Sequence, residues 1–284
     1  MPELPEVETI CRSLENLAGK KVTRVFRSEK KLRLISKLDL FDLKNSRILQ
    51  ITRRARYLII NFDNQKSLIM HLGMSGKVIH RADFKKLKHD HFSCKFNDNS
   101  WLIFNDARRF GFVDLTETKN IQSHKMLSKI GPEPLTRDFN ASCLKTKLRG
   151  KKMNIKTAMM DNKIVAGIGN IYINESLFDA GISPLRAAFS LKNSEIKKLV
   201  ASIKKIIKKA IELGGSSISD YTNVNGKSGS FQNIFKVYGR VRKNSNKNSG
   251  QNCQNCQNCL LCNNFIRKIK QNGRSSFYCP QCQK

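Results

Sequence analysis

Two sets of residues in this 284-residue chain have types and spacing that could do chemistry. The first is the opening run Met1-Pro2-Glu3-Leu4-Pro5-Glu6-Val7-Glu8. Removal of Met1 would leave a terminal proline, a secondary amine beside a carboxylate. An α-amine titrates at about 8, well below lysine, so at neutral pH a useful fraction can attack an electrophilic carbon such as the anomeric centre of a sugar. A secondary amine then gives an iminium, which acidifies the neighbouring C–H and favours elimination. The same octet also suits a helix start: proline is welcome in the first turn, and Glu3, Glu6 and Glu8 match the positive end of the helix dipole. The two readings are compatible.

The second set is Cys259-Leu260-Leu261-Cys262 followed, sixteen residues later, by Cys279-Pro280-Gln281-Cys282. Two Cys-x-x-Cys pairs at that separation fit a four-cysteine zinc ribbon, and a closed four-thiolate site holds a structural ion. Cys256 with Cys259 is an alternative first pair, and Cys253 and Cys256 could supply competing thiolates. With Cys259/Cys262 as the first pair, residues 263–278 become a hairpin carrying Arg267, Lys268, Lys270 and Arg274. The chain has nine cysteines, an odd number without an export signal, which points to a reducing compartment and a metal rather than disulfides.

Lys and Arg outnumber Asp and Glu by 53 to 22, for a formal charge of +31. That excess implies a polyanionic partner. Nucleic acid comes first, because each neutralised phosphate releases counterions. A membrane is the weaker alternative, since no run approaches the roughly 18 apolar residues of a spanning helix.

Periodicity supplies the elements that must position these groups. Val7, Ile10, Cys11, Leu14 and Leu17 mark a helix over about 3–18, ended by Gly19. From 22 to 116 the pattern changes to short β-branched and aromatic segments at 22–26, 47–52, 57–62, 67–71, 91–96, 101–105 and 112–115, separated by polar turns, which predicts a β-sandwich or barrel. After a hinge-like Gly131-Pro132-Glu133-Pro134, helical segments follow at 138–148, 156–161, 170–180 and 194–213. The last has a lysine-rich face, read as solvated surface. Asn170 opens a helix after Gly167-Ile168-Gly169, so its free N–H groups face any anion. No P-loop or dinucleotide fingerprint occurs. The 214–231 stretch is long enough for a functional lid, and 240–258 is of low complexity, with Gln-Asn-Cys repeated.

The opening octet, His71-Leu72-Gly73-Met74-Ser75-Gly76, Lys88-His89-Asp90-His91, Arg108-Arg109-Phe110-Gly111, Gly131-Pro132-Glu133-Pro134-Leu135, Met160-Asp161-Asn162-Lys163, Gly167-Ile168-Gly169-Asn170-Ile171-Tyr172, Val237-Tyr238-Gly239-Arg240 and the cysteine ribbon together resemble the bacterial formamidopyrimidine-DNA glycosylase family, in order and over nearly the whole chain. Leu4 with Val7-Glu8-Thr9 is closer to this family than to its relative endonuclease VIII, which acts on oxidised pyrimidines.

The resemblance implies an α+β multidomain fold: a catalytic β-sandwich domain with an N-terminal helix at 1–118, a linker at 119–136, a helix-two-turn-helix DNA-binding domain at 137–236, and a zinc finger at 237–284 with an insertion at about 243–258. It implies a cytoplasmic, monomeric base-excision repair enzyme with one structural zinc, acting on duplex DNA that contains an oxidised purine or an abasic site. Pro2 would displace the damaged base, Glu3 would protonate the sugar oxygen, and β,δ-elimination, assisted by Arg56 and Arg274, would cut the strand. A base in a duplex hides its glycosidic carbon and must be flipped out, leaving a hole. Met74, Arg108 and Phe110 match the trio that fills it, an apolar thioether and ring to stack and a guanidinium to meet the orphaned base. Arg56, His71, His89, Lys151, Lys156, Asn170 and Arg274 would contact DNA phosphates, and Lys227 would help cover the flipped purine. The family has lysine where Arg56 stands, and arginine keeps the charge but gives up no proton at neutral pH. A non-catalytic, zinc-dependent binder of distorted DNA is the competing reading, separable by the absence of strand cleavage.

Overall fold

The computed structural model describes residues 1–34, 36–83, 87–217, 224, 226, 228–240 and 258–284. The expectations for Lys227, Cys253, Cys256, much of the 214–231 stretch and nearly all of the insertion lie outside these residues. The chain divides into two compact units, 1–130 with 210–232, and 131–209 with 233–284.

The first unit opens with α1 (Leu4–Ser13), started by a reciprocal capping box between Glu3 and Glu6, with Pro5 in its first turn. The Glu3 N–H donates to Glu6 Oε2 at 2.8 Å. The helix is shorter than its apolar stripe suggests. A 3₁₀ turn at Glu15–Leu17 replaces the last part, and this tighter winding keeps both Leu14 and Leu17 buried.

Eight strands follow: β1 (Val22–Arg27), β2 (Ile48–Arg54), β3 (Tyr57–Phe62), β4 (Lys66–His71), β5 (Lys77–Arg81), β6 (Asp90–Phe96), β7 (Trp101–Asn105) and β8 (Phe112–Glu117). They form two four-stranded antiparallel sheets, ordered β1-β6-β7-β5 and β2-β3-β4-β8. Phe92, Phe96, Leu102 and Phe104 of one sheet share a core with Leu58, Ile60, Leu68 and Met70 of the other, closed by Val7, Ile10 and Leu14 of α1. Sequence periodicity missed β5. It is an edge strand with only Val78 buried, so it carries no alternating pattern. Residues 210–232 group with this unit rather than with the helical domain expected at 137–236. One reason is local: the Ser216 N–H donates to Glu6 Oε1 at 2.7 Å.

The second unit contains α2 (Ala141–Leu148), α3 (Ile155–Met159), α4 (Asn170–Asp179), most of α5 (Asn193–Glu212), and the hairpin β9 (Arg267–Gln271) and β10 (Arg274–Tyr278). The side chains of Asn140 and Asn154 cap α2 and α3. Asn272 and Gly273, both at positive φ, make the two-residue turn between β9 and β10. Phe178, Val237, Ile266 and Phe277 pack with Cys259 and Cys279 into a separate core.

Candidate active site and nucleic-acid contacts

In the first unit, strand register sets Tyr57, His71 and Phe112 abreast at one end of the β2-β3-β4-β8 sheet. Their rings touch, with centroids 5.0 Å apart for Tyr57–His71 and 5.7 Å for His71–Phe112. Past this row lie the Ala55–Arg56 turn, the Leu72–Gly76 loop and the Asp106–Gly111 loop. Ala55 is fully buried at φ 50°, a setting that a residue with a Cβ rarely adopts. Arg53 secures that turn to α1: its Nε donates to Glu8 Oε2 at 2.7 Å and its Nη1 to the Ala55 carbonyl at 3.0 Å. Burial pushes the Glu8 carboxyl up, but the Arg53 and Arg12 guanidinia outweigh it and hold the group below its ordinary value. Arg56, next in the chain, is itself largely buried.

Burial, reinforced by the charges of Arg56 and Arg33, drives the His71 imidazole down to about 4. The ring is therefore neutral at physiological pH. Its Nδ1 accepts from the Gly73 N–H at 3.1 Å, which leaves Nε2–H as the donor available to an anion. Arg33 was not among the sequence candidates, because nothing local marks a loop arginine as a neighbour of His71.

Met74 and Phe110 stand 42% and 45% exposed on loop tips, and the Arg108 guanidinium lies 4.8 Å from the Phe110 ring centroid. The two loops meet backbone to backbone. A Cβ on Gly73 would fall 2.5 Å from the Gly111 nitrogen, and one on Gly111 would fall 2.4 Å from the His71 carbonyl oxygen. Glycine is required at both positions for this approach. His89 is half-buried and bends at φ 80°.

At the chain start, Pro2 is buried, and Met1 before it is 42% exposed. Glu3 is 5% exposed. Glu6 was overlooked as a site residue, although it sits three residues after Glu3 as a capping box requires. It joins the Glu3 backbone to that of Ser216.

In the second unit, Lys156 Nζ and Asn170 Nδ2 both donate to the Ser275 carbonyl, each at 3.0 Å, next to exposed Arg274. Asn170 begins α4 after an extended Gly169, which as a glycine supplies no side-chain cap. Lys156, for which a phosphate contact is expected, lies inside the unit. It is only 1% exposed, and its ammonium braces the hairpin from within. Lys151 is half-buried after the Gly150 turn. Glu175 accepts the backbone N–H groups of Lys236, Val237 and Tyr238, which fixes the Val237–Arg240 segment. Burial still leaves its carboxyl above the ordinary value.

The Sγ atoms of Cys259, Cys262, Cys279 and Cys282 lie within 4.8 Å of one another, with Cys259–Cys282 at 3.7 Å and Cys262–Cys279 at 3.4 Å. Zinc bonded to thiolates at about 2.3 Å places tetrahedral ligand sulfurs about 3.8 Å apart, so the four residues fit one ion. The Asn264 N–H draws the Cys262 thiol down to about 6, whereas burial and the neighbouring sulfurs hold the Cys279 and Cys282 thiols above their ordinary value. The ion would carry no reaction. It would anchor the base of the hairpin.

Three family models match the chain: the formamidopyrimidine-DNA glycosylase N-terminal domain at residues 1–113, the formamidopyrimidine-DNA glycosylase H2TH domain at 130–222, and the zinc finger found in FPG and IleRS at 257–284. Formamidopyrimidine-DNA glycosylases of Dinoroseobacter shibae and Wolbachia pipientis are 41% and 43% identical to it, with each chain covered in full. Among solved structures, a Lactococcus lactis FPG mutant in complex with Fapy-dG containing DNA is 37% identical, with both chains fully covered and a TM-score of 0.88. A MutM complex with carbocyclic 8-oxo-G containing DNA is also 37% identical at full coverage, with a TM-score of 0.86. The sandwich, the helical unit and the thiolate ribbon are thus the parts of a DNA glycosylase. The chain belongs to the formamidopyrimidine-DNA glycosylase family.

Proposed function

We propose that this protein excises oxidised purines, 8-oxoguanine and formamidopyrimidines, from duplex DNA and then cuts the strand at the abasic sugar. The observation that carries the reading is the start of α1, where Pro2 follows an exposed Met1 and directly precedes the Glu3–Glu6 capping box. With Met1 gone, the Pro2 nitrogen attacks C1′. The glycosidic bond breaks, and the base leaves with the bonding electrons and gains a proton. Glu3 protonates the ring oxygen as the sugar opens, and the nitrogen and C1′ form an iminium. Loss of a C2′ proton expels the 3′ phosphate, a second elimination expels the 5′ phosphate, and water releases Pro2. Arg56, held near His71, supplies charge to the departing phosphate without serving as an acid.

Met74, Arg108 and Phe110 fill the space left by the everted nucleotide. His71 through Nε2–H, His89, Lys151, Asn170 and Arg274 hold phosphates, while Lys156 acts through Ser275. Zinc, when bound, supplies the anchor that keeps Arg274 in place. No helix among the described residues is long and apolar enough to cross a membrane. The protein works as a monomer in the cytoplasm, on the nucleoid.

Borohydride reduction tests the central step by trapping the iminium. Wild-type protein with Met1 removed should form a covalent complex with 8-oxoguanine duplex, and Pro2→Gly should reduce trapping by at least about a thousandfold. Equal trapping by the two would refute the assignment of Pro2 as nucleophile, and binding without any cleavage would favour a non-catalytic damage binder.

A further inference from the structure

We propose that Asp106 is the positioning residue of the damage-reading surface, a buried carboxylate clasp that sets Met74, Arg108 and Phe110 relative to one another. The inference rests on the proposed hole-filling role of those three side chains and assigns what holds them.

Asp106 has no exposed surface. A carboxylate so placed needs several donors, and each donor here comes from one of the two loops. Asp106 Oδ1 accepts the Ser75 hydroxyl at 2.6 Å and the Arg108 N–H at 3.3 Å, and Oδ2 accepts the Gly111 N–H at 2.7 Å. Ser75 follows Met74, and Gly111 follows Phe110. The triangle closes because Ser75 Oγ in turn accepts the Arg108 N–H at 3.2 Å.

The Asp106 backbone extends the clasp. Its N–H donates to the His89 carbonyl at 3.0 Å, and its own carbonyl accepts His91 Nε2–H at 3.0 Å, the other ring nitrogen of His91 meeting the Ser28 hydroxyl at 2.9 Å. Four of the residues proposed to touch DNA therefore lie on, or one residue from, a hydrogen-bond partner of Asp106.

The tips are exposed and the clasp is not. Wedges that enter a base stack must hold their spacing under load, and fixing them beforehand lowers the entropy cost of insertion. Only a carboxylate offers acceptors on both sides. In Asp106→Asn one oxygen becomes an N–H donor, which opposes the Gly111 N–H or, on the other side, opposes the Arg108 N–H and turns the Ser75 hydroxyl proton away from residue 106.

The test compares single-turnover excision from an 8-oxoguanine duplex, 2-aminopurine fluorescence reporting base eversion, and borohydride trapping on a single-stranded abasic oligonucleotide, which has no stack to replace. Asp106→Asn should lower duplex excision and the rate of eversion about ten- to a hundredfold, with single-strand trapping within about twofold of wild type. Ser75→Ala, which removes one of the three contacts and threatens folding less, should show the same split at about three- to tenfold. If Phe110→Ala slows eversion while Ser75→Ala and a folded Asp106→Asn match wild type, the clasp is refuted. If Asp106→Asn loses trapping as well, it has not folded, and Ser75→Ala decides. If Met74→Ala and Phe110→Ala leave eversion unchanged, the hole-filling reading fails and the clasp falls with it.

Discussion

The loop tips of the first unit and the ribbon of the second present functional side chains in opposite ways. Met74, Arg108 and Phe110 stand on short loops held by hydrogen bonds to one buried carboxylate. Arg274 stands at the end of a two-stranded hairpin whose base is four cysteines and whose flank is braced by Lys156 and Asn170 through Ser275. A two-stranded hairpin is marginally stable by itself, so the ribbon needs its metal, whereas the tips inherit their order from an eight-stranded sandwich. Order borrowed from a core resists solution conditions. Order borrowed from an ion does not.

Removing the metal should give the largest effect. Cys262→Ser, or chelation of the wild type, should drop bound zinc from one ion per chain to well below one, read by elemental mass spectrometry. Strand cleavage should fall about a hundredfold. The sandwich should keep its thermal transition, because none of the four thiolates belongs to that unit. A chelated protein that cleaves at full rate would remove the contrast between the two regions.

Lys156 sharpens the same contrast at lower amplitude. A lysine that neutralises a phosphate contributes about one counterion to the salt dependence of binding, so its loss lowers the slope of log K against log salt by about 0.9. A lysine that props a hairpin leaves the slope alone. Lys156→Met should therefore weaken binding to an abasic duplex roughly tenfold across the whole salt range with the slope unchanged. A slope lower by about 0.9 would restore the direct phosphate contact.

The difference between these two lysine roles also marks what a linear sequence can show. Strands β3 and β7 fall at 57–62 and 101–105 as their apolar patterning indicates, and the Cys-x-x-Cys pairs bring their four sulfurs together. These features repeat within a few residues. By contrast, Lys156 sits in the first turn of a short helix, where lysine ordinarily faces solvent, and its partner lies 119 residues away. Asp106 looks like a turn former ahead of Arg108, and the proximity of Arg33 to His71 follows from how a loop folds back. Side-chain direction set by distant backbone atoms leaves no periodic trace.

His71 gives the smallest expected effect and tests whether the sandwich end is organised for neutral donors. The group titrates at an ordinary 6.5 when unfolded and at about 4 when folded. Between those values the unfolded chain binds a proton that the native ring refuses, so its contribution is complete above pH 6.5 and disappears as the pH falls toward 4. The gap corresponds to roughly 3 kcal/mol, an upper figure because part of the ring remains accessible. Urea unfolding should show His71→Asn losing less stability than wild type between pH 7 and 4.5, by about 1 to 2 kcal/mol. Proton NMR of the free protein should leave the His71 ring neutral at pH 5.5. A ring that protonates near 6.5 would make this end of the sheet cationic, and phosphate binding there would strengthen steeply on mild acidification instead of staying level.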